Sequence, residues 1–103
     1  MSRTHNPTAA LIAALWERNQ PLVRERVDVL QRAAVVAAGG GLDHALRVHA
    51  LEAAHKLAGA LGMYGRAEAG AVASRMEQML EADGAVDAPE LERLAAELRQ
   101  LSA

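Results

Sequence analysis

Residues 43–64 read DHALRVHALEAAHKLAGALGMY, and the fold turns on how this stretch sorts around a helix. Asp43 is placed to cap the first free amides, and the apolar pattern then runs to about Tyr64. At about 100° per residue, Leu46, Ala50, Ala53, Leu57, Ala60, Leu61 and Tyr64 fall together and form the candidate core side. His55 points the opposite way. Val48, Leu51 and Glu52 before it and Gly59 and Gly62 after it lie within about 60° of its direction. The stretch is therefore predicted to pack along one side and meet water along the other. Each helical glycine costs about 1 kcal/mol relative to alanine. Gly59 and Gly62 need a reason: close approach of something from outside, tight packing of a neighbouring helix, or a fraying helix end.

The segments on either side read the same way. Asn6 and Pro7 suit a helix start, and a first helix with Leu11, Ile12, Leu15 and Trp16 on one edge is predicted to run to about Asn19. Pro21 is expected to kink or end it. A second helix, about Gln20 to Ala38, is apolar over much of its circumference, including Leu22, Val29 and Val36, and is expected to be largely enclosed. Gly39, Gly40 and Gly41 break it. Beyond Tyr64, a helix from about Arg66 to Ala82 carries Ala69, Val72, Ala73, Met76, Met79 and Leu80 on one side, with Gly84 as its stop. Asp87 and Glu90 make a start resembling a capping box, followed by Leu91, Leu94, Ala95, Leu98 and Leu101. Alanine supplies 24 of the 103 residues, and valine, isoleucine and threonine together only 11, which favours helix over strand. The expected fold is all-α: one domain over 1–103, an up-down-up-down four-helix bundle with a short additional N-terminal helix.

Composition narrows the function. A net charge of −2 with interspersed signs offers no basic stripe for nucleic acid. The absence of cysteine excludes disulfides and thiolate metal sites. No apolar run reaches the roughly 18 residues of a membrane span, and Met1 to Asn6 lack a signal-peptide pattern, so a cytoplasmic location without membrane contact is expected. The histidines at 5, 44, 49 and 55 are five or more residues apart, against the three or four that helical metal ligands need, so no metal site is predicted. No phosphate-binding glycine loop or Walker-type lysine occurs, so neither an ATP site nor autonomous kinase activity is expected.

The segment Ala54-His55-Lys56-Leu57-Ala58-Gly59-Ala60-Leu61-Gly62-Met63-Tyr64-Gly65 resembles the signature of histidine-containing phosphotransfer (HPt) domains. In that signature a histidine is followed by Leu, Gly, Gly and Gly at offsets of two, four, seven and ten, here Leu57, Gly59, Gly62 and Gly65. The family's architecture, a four-helix bundle with a short leading helix and its histidine midway along one bundle helix, agrees over nearly the whole chain. The resemblance implies that His55 accepts a phosphoryl group from a receiver-domain aspartate and passes it to another receiver. Partners would be response-regulator receiver domains or a hybrid histidine kinase. Mg²⁺ is expected on the receiver, and no cofactor on this chain, which is expected to be a monomer. Carried over by position, Gly59 leaves room for the receiver's active site, while Val48, Leu51, Glu52 and Gly62 belong to the docking surface. Where the family often has a phosphate-neutralising Lys, three positions after the histidine, this chain has Ala58. Lys56 is the candidate substitute, although it points about 100° away from His55.

Such a site needs little else. Imidazole titrates near 6.5, so a neutral, nucleophilic fraction exists at neutral pH, and phosphoryl transfer is mostly positioning and charge neutralisation. The rival reading is a helical interaction protein without phosphotransfer, such as a degenerate adaptor that binds a response regulator.

Overall fold

A computed structural model describes residues 7–103. They form four helices: α1 (Pro7–Ala38), α2 (His44–Met63), α3 (Ala67–Glu81) and α4 (Ala88–Leu101), with no strand among the described residues. Each helix packs on its neighbours in sequence, and α4 closes back on α1, which is the expected up-down-up-down four-helix bundle. Short connections force this antiparallel order. Leu30, Leu57, Leu61, Met76, Leu91, Leu94 and Leu98 are its largest fully buried side chains.

The leading segment is not a separate helix. α1 runs unbroken through Pro21, which was expected to kink or end it. Proline removes the amide that would serve the Glu17 carbonyl, but Glu17 and Pro21 are both exposed, so water can take that place. Asn19 Nδ2 adds a hydrogen bond to the Leu15 carbonyl at 2.9 Å. Downstream, Val23, Val27, Leu30, Ala33 and Ala34 hold α1 to the core. The cap predicted at Asn6, the leader reading of Met1 to Asn6 and His5 lie outside the described residues.

The expectation that residues 20–38 are largely enclosed is corrected. Val35 is 64% exposed and Leu22 is exposed too, because α1 touches only α2 and α4 and its outer side meets solvent. At the other end α1 outlasts its neighbours. Trp16 is buried there, edge-on to Tyr64 with ring centres 5.7 Å apart, while the Arg66 guanidinium lies 3.9 Å from the Trp16 ring centre. Aromatic and cation contacts thus close the end of the bundle that holds the α2–α3 turn.

The predicted caps form. Asp43 accepts from Leu46 N at 2.8 Å, and Asp87 accepts from Glu90 N at 3.2 Å. The second is half of a capping box, because the Glu90 carboxylate turns to Arg93 instead of returning to the helix start. Between α3 and α4 the chain reverses at Gly84, whose φ of +90° suits glycine. Arg47 reaches across from α2 and donates to the carbonyls of Leu80 (2.9 Å), Ala82 and Gly84 (2.7 Å), satisfying the end of α3.

α2 and α3 lie close together along a seam of small residues. Ala54, Ala69, Gly70 and Ala73 are buried there. A Cβ on Gly70 would lie 3.4 Å from both the Ala58 carbonyl oxygen and the Gly62 nitrogen, an ordinary contact that leaves no room for a larger side chain.

Candidate functional site

His55 stands on the outward side of α2, its side chain 73% exposed, while Ala54 beside it is fully buried. Its Nδ1 lies 2.6 Å from Glu77 Oε2 on α3. Glu77 sits between Met76 and Leu80, two core residues, so its stem follows the seam and its carboxylate emerges at the rim, 21% exposed. A carboxylate accepts, so the proton of the neutral ring is assigned to Nδ1 and the Nε2 lone pair is left free. A well-exposed imidazole with one nitrogen held and the other open has the geometry that nucleophilic chemistry needs.

The space around the ring is shaped by what is missing. A Cβ built on Gly59 or on Gly62 would meet nothing within 4 Å. Helix packing therefore does not explain these glycines; the glycine that faces the α2–α3 seam is Gly70. Gly59 and Gly62 leave a shallow, open stretch of backbone in the two turns after His55. In the two turns before it, Val48 is 41% exposed and Leu51 is half-buried against the core.

The remaining candidates separate to the two sides of the ring. Glu52 and Lys56 are exposed and line the groove between α2 and α1, together with Glu25, Arg26 and Val29. Ala58 is half-buried on the opposite, α3 side and packs on the core. Glu77 and Lys56 thus flank His55 from opposite sides, and the structure brings His55, Gly59, Gly62, Val48 and Leu51 onto one face. His44 is exposed beside Val48 and Leu51, and His49 beside Glu52 and Lys56, but no three metal-ligating side chains converge among the described residues.

Glu77 is the residue that sequence reasoning missed. It lies 22 positions beyond His55, outside any local spacing. No sequence signal marks it: only the folding of α2 and α3 about Gly65, whose φ is +76°, sets the position ten residues before that glycine near the position twelve after it.

A family model described as Hpt domain matches residues 14–103, most of the chain. No curated protein and no solved structure matches it. No helix among the described residues is long and apolar enough to cross a membrane.

Proposed function

The chain belongs to the Hpt domain family, and from that premise we propose that it is the histidine carrier of a two-component phosphorelay, with His55 Nε2 as the atom that holds the phosphoryl group. The observation that carries this reading is the pairing of His55 Nδ1 with Glu77 at 2.6 Å beneath an otherwise open ring.

In the forward step the Nε2 lone pair forms the N–P bond as the bond from phosphorus to a receiver's aspartyl oxygen breaks. The aspartate leaves with the electron pair as a carboxylate. The ring becomes cationic, and the Glu77 carboxylate at Nδ1–H offsets that charge where it develops. In the return step a second receiver's aspartate attacks phosphorus, and the ring leaves as neutral imidazole with its Nδ1 proton still in place. Glu77 therefore acts as a positioning residue in both directions. The receiver supplies the aspartate and the Mg²⁺ that neutralises phosphoryl charge. With Ala58 in the chain's own cation position, charge neutralisation is left mainly to the partner. The same reading carries a cytoplasmic location and a single-copy carrier.

Receiver domains labelled on aspartate test it. Incubation with this chain should give an acid-labile label that is absent from His55→Gln. An adaptor that only binds receivers takes up no label, and that result would sink the proposal.

A further inference from the structure

Beside the His55 face, between the start of α2 and the end of α3, lies a groove of about 300 Å³. Val48, Leu51 and Leu80 give it an apolar lining, His44 and Arg47 stand on its α2 side, and Glu81 and Asp83 stand exposed on its α3 rim. Leu51 and Val48 precede His55 by one and two turns on the same helix, so the groove continues the face that carries the ring.

The charges on that rim are misplaced for stability. Glu81 is the last residue of α3 and Asp83 follows two positions later, at the helix end where the backbone dipole is negative and cations are favoured. α3 has no basic residue in its last turn. Arg47, the cation beside them, directs its guanidinium to the Leu80, Ala82 and Gly84 carbonyls. Neither Glu81 nor Asp83 has an ion-pair partner among the described residues, and Glu77 extends the same sign toward His55. Glu90 and Glu97 on α4 are, by contrast, matched to Arg75 and Arg93.

We propose that this groove is the partner-selecting part of the docking surface, and that its occupant is a receiver-domain segment with an apolar centre flanked by lysine or arginine. The inference rests on the phosphotransfer reading and adds the charge of the partner to it. An apolar lining supplies contact area, while an unpaired acidic rim attracts a basic edge, speeds encounter and rejects acidic receivers.

The test uses purified receiver domains from the same genome, phosphorylated on aspartate with labelled acetyl phosphate. Transfer to the wild-type chain and to a Glu81→Lys/Asp83→Lys variant is timed at salt concentrations from about 50 to 300 mM, across which screening deepens. The preferred receivers should carry basic docking edges. Their second-order transfer rate should fall about tenfold over the salt range and about tenfold in the variant. Thermal stability should not fall, since lysine suits that helix end. Phosphoramidate, a small donor that releases ammonia as the N–P bond to His55 forms, should label both chains equally. Transfer that ignores both salt and charge reversal would overturn the inference and leave the phosphotransfer reading standing. Equal losses with phosphoramidate would overturn it too, by tracing the effect to His55 itself. No transfer from any receiver would overturn the phosphotransfer reading and this inference together.

Discussion

The two edges of α3 handle charge in opposite ways. Toward α4, Arg75 and Arg93 both approach Glu90, at 3.5 and 2.8 Å, and Arg93 also lies 3.5 Å from Glu97. That surface is internally matched and asks nothing of a partner. Toward α2, one carboxylate meets one imidazole, glycines leave the neighbouring backbone bare, and the acids at the end of the helix are unpaired. The same helix thus closes one surface and leaves the other available. Exposed ion pairs contribute little to stability, so the matched edge is expected to tolerate change, while the open edge is expected to lose function without losing the fold.

Gly59→Gln should break that contrast most visibly if it is wrong. The new side chain enters open space, so folding should be unchanged or improved by about 0.5 kcal/mol through helix propensity. It also fills the approach to His55, and transfer from a receiver should fall about a hundredfold, as for displacement of reacting groups by about an ångström. Unaltered transfer would mean that partners approach from another side.

Glu77→Leu should cost about tenfold in transfer, the worth of one hydrogen bond to a charged group at a half-open site. Its separate readout is nitrogen NMR of the ring: wild type should show the neutral form protonated at Nδ1, and the variant a mixture of both tautomers. Glu77→Gln keeps an acceptor and should preserve the tautomer while losing part of the rate. A variant with full rate and an unchanged tautomer would reduce Glu77 to a surface neighbour.

Gly70→Val sharpens the comparison from inside the seam. Its branched side chain would press on the backbone at Ala58 and Gly62, and stability should fall by about 1–3 kcal/mol in urea unfolding. Transfer per folded molecule should stay near wild type. The two positions would then be separated by experiment: open space at 59 for docking, and a small residue at 70 for packing.

Much of this was legible in local sequence. Asp43 and Asp87 announced their helices, because a cap is a contact between residues three apart. The core side of α2 followed from its period, although Ala54 and Ala58 also face a neighbour, because α2 is flanked by both α1 and α3. Pro21 misled because its cost depends on whether water can reach the freed carbonyl, which burial decides. Glu77 and Gly70 were illegible for a different reason. Each acts only through the register of α3 against α2, and that register exists once the turn at Gly65 has formed. The open space at Gly59 and Gly62 likewise required knowing which glycine faced which helix.

The smallest expected effect lies on the matched edge. The guanidinium of Arg93, hydrogen-bonded to Glu90, holds that carboxyl below its ordinary value of 4.5, with Arg75 adding to the pull. A lowered folded value means the pairing contributes fully above the carboxylate's unfolded value and is lost as pH falls through the folded one. Arg93→Gln should therefore leave neutral-pH stability nearly unchanged and flatten slightly the loss of stability toward acid pH. Because both side chains are solvated, added salt should mask the difference. Phosphotransfer at His55 should not respond, since the pair lies on α4, across α3 from the ring. A clear drop in transfer in this variant would show that the two edges are coupled through the helix, and the division between a closed surface and an open one would have to be abandoned.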